Sequence, residues 1–154
     1  MKSTTIVVLL TLFAVTGFSQ TTNAIHLPTA TPLFTSYPGT INCNETELNN
    51  IFHSLAGENV NVILNGTPMF SGIVVNNIAK HSNLQYIAVK LPSLNNATLA
   101  LTRRFDEKTN TIFIIGHIIS PKNSDAYELT HLPDGTYQFI KTDLDKIMPT
   151  CAMQ

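Results

Sequence analysis

The residues most able to do chemistry are few and scattered: five histidines, at positions 26, 53, 81, 117 and 131, and the adjacent pair Arg103-Arg104. His117 stands out because it lies in TIFIIGHIIS, Thr111 to Ser120, an otherwise apolar, strand-like run that also holds Gly116. An imidazole there has two uses. With Arg104, and with Tyr127 completing a pocket, it can bind a polar or anionic ligand, Gly116 permitting close approach of ligand or backbone. Alternatively it donates to a neighbouring carbonyl inside a packed second layer, with Arg104 lying over it toward solvent. That second use is the commoner one for a histidine in an apolar strand.

Arg103 and Arg104 point to opposite faces if they sit in a strand, so at most one can enter a core. Together they suggest anion or carboxylate recognition, or a dibasic cleavage site. The plainer reading leaves one exposed and pairs the other with Asp106 or Glu107 near a turn.

The stretch NSDAYELTH gathers Ser124, Asp125, Tyr127, Glu128 and His131. It lacks the G-x-S-x-G elbow that exposes a nucleophile, and strand alternation sends Tyr127 and Glu128 to opposite faces, so no catalytic residue is assigned. The histidines form no H-x-H or H-E-x-x-H, and none lies close to a cysteine. No calcium loop of the D-x-D-x-D-G form occurs either. Neither a metal site nor a cofactor is expected.

The beginning of the chain bears on compartment. Lys2 precedes the apolar run Ile6 to Val15, and Gly17 and Ser19 flank Phe18. This is the pattern of a cleavable signal peptide over residues 1–19, too short in its apolar part to span a hydrocarbon core as a stable helix. The expected destination is secreted or periplasmic, with no stable membrane span in the mature chain. The net charge is −1, and cleavage removes Lys2 but no acid. A chain without a basic surplus is a poor partner for nucleic acid.

There are two cysteines, Cys43 and Cys151. In an oxidising compartment they are expected to form a disulfide that ties the start of the domain to its end. Loop entropy puts such a bond at no more than about 4–5 kcal/mol. The sequons at Asn44, Asn65 and Asn96 are frequent enough by chance in an Asn- and Thr-rich chain to carry no weight, and each has a structural use as cap, turn or loop residue.

The elements follow from periodicity. Residues 20–42, rich in Thr and interrupted by Pro28, Pro32 and Pro38, read as an extended arm. A single β-rich domain is expected over residues 43–154. NETELNNIFHSLAG predicts a short amphipathic helix with Asn44 as N-cap, Glu47 closing a capping box, Leu48, Ile51, Phe52 and Leu55 on one face, and Gly57 as the stop. His53 on that helix has no partner histidine and reads as a surface residue.

Beyond Gly57 come seven short β-like runs: VNVILN, MFSGIVV, LQYIAVKL after a polar loop NNIAKHSN, ATLALTRRF, TIFIIGHIIS, AYELTHL and TYQFIKT. Asn65-Gly66 predicts a two-residue hairpin, and Pro133-Asp134-Gly135 a three-residue one that sets Leu129 opposite Phe139. Between ATLALTRRF and TIFIIGHIIS a five-residue loop would put His117 opposite Leu99. A four-residue loop sorts the residues more coherently. It gathers Leu99, Leu101, Phe105, Ile112, Ile114 and Ile118 into a core, with Leu101 facing Ile114. His117 then joins Ala100, Thr102 and Arg104 on the other face, which Phe113, Ile115 and Ile119 make partly apolar and which is expected to be covered.

The fold expected is mainly β, α+β at the margin: an antiparallel meander of about seven strands closing as a barrel-like roll or small sandwich, with one short N-terminal helix. The function expected is a small exported binding module, not an enzyme, that contacts a protein, glycan or envelope component. The alternative is a ligand-binding or hydrolytic barrel built around His117 and Arg104.

Overall fold

A computed structural model describes residues 30–148. Eight strands, β1 (Thr40–Cys43), β2 (Asn59–Leu64), β3 (Thr67–His81), β4 (Leu84–Leu91), β5 (Ala97–Asp106), β6 (Thr111–Ile119), β7 (Asp125–His131) and β8 (Tyr137–Asp143), form one antiparallel sheet. Its order is β1-β8-β7-β6-β5-β4-β3-β2, a meander with β1 added beside the last strand, curled into a half-barrel roll. A single curled sheet is the roll, not the two-sheet sandwich. The eighth strand is β1, whose first three residues belong to the stretch that reads as an arm. Cys151 and residues 1–29 lie outside the described residues, so the expected disulfide and signal peptide do too.

Between β1 and β2 runs helix α1 (Glu45–Ile51), and the chain continues past β8 into one turn, α2 (Leu144–Ile147). α1 begins where the sequence puts it. Asn44 Oδ1 accepts the Glu47 N–H at 2.9 Å and the Glu47 carboxylate accepts the Asn44 N–H at 3.0 Å, a complete capping box. The same carboxylate also accepts the N–H groups of Asn65 and Gly66, at 3.3 and 2.6 Å, so it ties the helix to the β2–β3 turn. That turn is the predicted two-residue hairpin, with φ +53° at Asn65 and +69° at Gly66.

Leu48, Ile51 and Phe52 are buried, but Leu55 is 65% exposed. The helix stops earlier than its apolar period suggests, and the Asn77 side chain donates to the carbonyls of Phe52 and Ser54 at 2.9 and 2.8 Å, satisfying acceptors that the ended helix leaves without a partner.

The same asparagine explains a second departure. The expected loop NNIAKHSN is mostly strand: β3 continues to His81, bulged near Val75 and Lys80, and only Ser82 and Asn83 turn the chain. Asn77 and its strand partner Ile87 stand on the inner face, and neighbouring Gln85 donates to Asn77 Oδ1 at 2.8 Å and to the Phe52 carbonyl at 3.1 Å. Polar residues facing inward erase the alternation that marks a strand.

The β5–β6 register follows the four-residue turn, Asp106 pairing with Thr111 and His117 with Ala100. The strand partner of Leu101 is Gly116, however, and Ile114 lies opposite Arg103. Leu99, Leu101, Ile114 and Ile118 are buried on the concave side with Tyr127, Phe139 and the α1 residues. Leu129 pairs with Phe139 across the predicted β7–β8 hairpin.

The segment before β1 is docked. Phe34 is fully buried, its ring edge-on to Tyr127 with centroids 4.9 Å apart. Asp125 holds its backbone, and Lys141 Nζ donates to the carbonyls of Phe34 and Tyr37 at 2.6 and 2.7 Å. Phe34 therefore plugs the end of the roll where β7 begins, while α1 covers the end where β4 begins. Among the described residues no helix is long and apolar enough to cross a membrane.

Candidate binding surface

Two faces of the sheet carry the residues of interest, and strand alternation divides them. On the outer face, direct pairing sets Ile78 beside Tyr86, Tyr86 beside Thr102 and Thr102 beside Ile115. The adjoining row runs Leu84, Arg104, Phe113. Exposure reaches 65% for Ile115, 46% for Ile78 and 44% for Phe113, so β3, β4 and β6 present large apolar side chains to solvent on one face, with Thr102 and Arg104 of β5 between them. A groove of about 410 Å³ follows this face, lined by Leu84, Thr102, Arg104, Asp106, Phe113 and Ile115. The expectation that this face is covered is therefore corrected: Ile115 and Phe113 are largely open to solvent, although the His131 ring stands edge-on to Phe113 with centroids 6.3 Å apart. Both faces of β6 are apolar because one packs the core and the other carries Phe113 and Ile115.

His117 sits farther along this face, half-buried, paired with Ala100 on β5 and Glu128 on β7. Burial lowers its pKa, against an opposing pull from the Glu128 charge. No carbonyl accepts from its ring among the described residues. Arg104 is exposed and lies opposite Phe113, four residues along β6 from His117, a separation of about 13 Å. The two share a face but do not converge on one small molecule.

Tyr127 is elsewhere. It is fully buried on the concave side, and its hydroxyl donates to the Pro38 carbonyl. Burial, then the charge of Asp125 and the neighbouring Tyr37, pushes its pKa up to about 12, so it holds the docked segment as a neutral phenol. It does not line a pocket with His117 or Arg104. Gly116 does permit a close approach, that of the β5 backbone: a Cβ there would stand 2.4 Å from the Ala100 carbonyl oxygen.

In NSDAYELTH, both Asp125 oxygens accept backbone N–H groups, from Leu33 at 2.5 Å and Phe34 at 2.9 Å, and His131 is exposed at the far end of β7. The cluster anchors a segment and forms no triad. Among the described residues no group of three or more His, Cys, Asp or Glu side chains is placed to hold a metal. Cys43 is buried, its Sγ donating to the Tyr137 carbonyl at 3.6 Å; desolvation, then the Glu47 charge, raises the thiol to about 12.

Sequence reasoning singles out Arg103 with Arg104 but does not place it. Arg103 does not pair with Asp106 or Glu107; it points to the concave side, Nη1 donating to Asn49 Oδ1 at 3.2 Å and Nη2 to Gln85 Oε1 at 2.6 Å, with the guanidinium carbon 5.1 Å from the Phe52 ring centroid. The signal was present in the run Leu99, Leu101, Arg103, Phe105, which places an arginine in an inward series. Comparison with known protein families, curated proteins and solved structures finds no match to this chain.

Proposed function

We propose that the protein is an exported, non-catalytic binding module that presents the outer face of its curled sheet to a partner protein. One observation carries the reading: Ile78, Tyr86, Phe113 and Ile115, exposed on three strands of one face and joined across β5 by Thr102 and Arg104. Large apolar side chains gathered on one surface are disfavoured unless something binds there. Exposed aliphatic groups such as Ile78 and Ile115 suit an apolar protein segment better than a glycan, which needs a dense set of polar partners. Arg104 makes no ion pair among the described residues, so the matching segment carries a carboxylate to meet it. The separation of His117 from Arg104 and the burial of Tyr127 weigh against the alternative of one pocket built from those three.

The test is site-specific photocrosslinking in the native culture. A photoreactive residue at position 115 is expected to trap one defined protein, and the same residue at Asn61, on the far edge strand, is not. Adducts of the same kind from both positions, or from neither, overturn the reading. Export is checked on the same material: N-terminal sequencing of protein from the medium or periplasm should begin at Gln20. The reading includes a Cys43–Cys151 disulfide formed after export. Non-reducing peptide mapping that returns both cysteines as separate thiols removes that part of it.

A further inference from the structure

On the concave side, at the end of the roll where β3 turns into β4, Arg103 lines a half-enclosed cavity of about 280 Å³. We infer that this cavity is a binding site for a small carboxylate with a short apolar tail, distinct from the outer face. Three observations meet there. First, the guanidinium is a partly buried cation with no carboxylate in salt-bridge range among the described residues. Its two hydrogen-bond acceptors are the neutral side chains of Asn49 and Gln85, and Glu45 is reached only through the Asn49 amide at 3.2 Å. A charge withdrawn from water normally has a counter-charge, and one lacking it favours an incoming anion.

Second, the group is held rigidly. Asn49 and Gln85 fix its plane, the Phe52 ring packs against it, and Gln85 is itself fixed by the Phe52 carbonyl and Asn77. Two of the five guanidinium N–H donors are used by these contacts. The remaining three engage nothing among the described residues, and such a fork matches the two oxygens of a carboxylate.

Third, Leu84, Phe105 and Ile112 give the cavity an apolar side, while His81, Ser82 and Asn83 give it a polar one beside Arg103. A guanidinium next to both suits a carboxylate headgroup held on the polar side with a hydrocarbon tail on the apolar one. The volume lies just below the usual range for drug-sized ligands, so the tail is short.

The experiment is titration of the purified protein with hexanoate, followed by calorimetry and backbone amide NMR. Saturable binding is expected, with shifts at Ser82 and Leu84 and none at Ile115. 1-Hexanol, with the same tail and no charge, is expected to bind at least tenfold more weakly. Arg103→Met is expected to weaken hexanoate at least tenfold, while Lys122→Met, which removes an exposed charge elsewhere, leaves it unchanged. Should Arg103→Met fail to fold, Ala79→Trp, at an exposed position whose strand partner is Gln85, closes the mouth while leaving Arg103 itself unaltered, and it is expected to abolish binding. Absence of saturable binding to the unaltered protein overturns the proposal. So do equal affinities for hexanoate and hexanol, or unchanged binding in Arg103→Met or Ala79→Trp.

Discussion

The carboxylate of Asp125 accepts the backbone N–H of Phe34 at 2.9 Å across ninety-one positions of sequence, and a second oxygen takes the N–H of Leu33. This contact converts a proline-rich stretch into a plug, because it satisfies the backbone that must be buried for the Phe34 ring to reach Tyr127. Asp125→Ala is expected to lower stability by about 1.5–3 kcal/mol, the range for hydrogen bonds to a charged group. Urea unfolding measures the loss, and limited proteolysis should show new cleavage between residues 30 and 39. Loss of stability without that cleavage would mean that Asp125 acts elsewhere.

Gly116 has no space for a side chain. A Cβ would meet the Ala100 oxygen at 2.4 Å and Leu101 Cδ2 at 2.5 Å, whereas at Gly39 nothing lies within 4 Å. Gly116→Ala is expected to cost about 1–3 kcal/mol by overpacking the β5–β6 contact. Gly39→Ala is expected to stay within about 0.5 kcal/mol of the parent. Equal melting temperatures for the two variants would refute the tight β5–β6 approach.

What was legible in the sequence is what local chemistry decides. Asn44 and Glu47 mark a helix start, Asn65-Gly66 and Pro133-Asp134-Gly135 mark hairpins, and the four-residue turn between Asp106 and Thr111 sorts the faces of β6. What was not legible depends on remote partners. β1 and the docking of Phe34 rest on Asp125, Lys141 and Tyr127, nearly a hundred residues away. β3 was cut short because Asn77 turns inward to serve the end of α1. The reading that pairs one of the two arginines with Asp106 or Glu107 looks only beside them in sequence, while the partners of Arg103 come from α1 and β4. The face bearing His117 and Arg104 was sorted correctly, but alternation alone does not tell a covered apolar face from an open one.

Glu47 links two elements through one side chain. Glu47→Ala removes the capping box and the anchor of the β2–β3 turn together, with an expected cost of about 1–2 kcal/mol. Amide exchange should quicken at Asn65 and Gly66 as well as in the first turn of α1. Faster exchange confined to the helix would remove the turn from the role assigned to Glu47.

His117 gives the fold a pH dependence of definite sign. Its pKa in the folded chain lies below the ordinary 6.5, chiefly because burial disfavours the imidazolium. Below pH 6.5 the unfolded chain takes up a proton that the folded chain resists. Its contribution is therefore fully present above pH 6.5 and is lost as pH falls through that value toward the folded pKa. The difference in stability between His117→Gln and the parent should shift in favour of the variant on acidification from pH 7.5 to 5. A difference constant across that range would contradict the burial-driven shift.

The account turns on the outer face. Its most direct measurement is the affinity of the protein trapped through position 115 for the unaltered module and for Ile115→Asp, with melting temperatures taken on the same samples. The predicted result is binding at least tenfold weaker, about 1.4 kcal/mol, with an unchanged melting temperature, since Ile115 is exposed and packs no core. An affinity within twofold of the parent, from a variant that melts with it, would contradict the assignment of this surface.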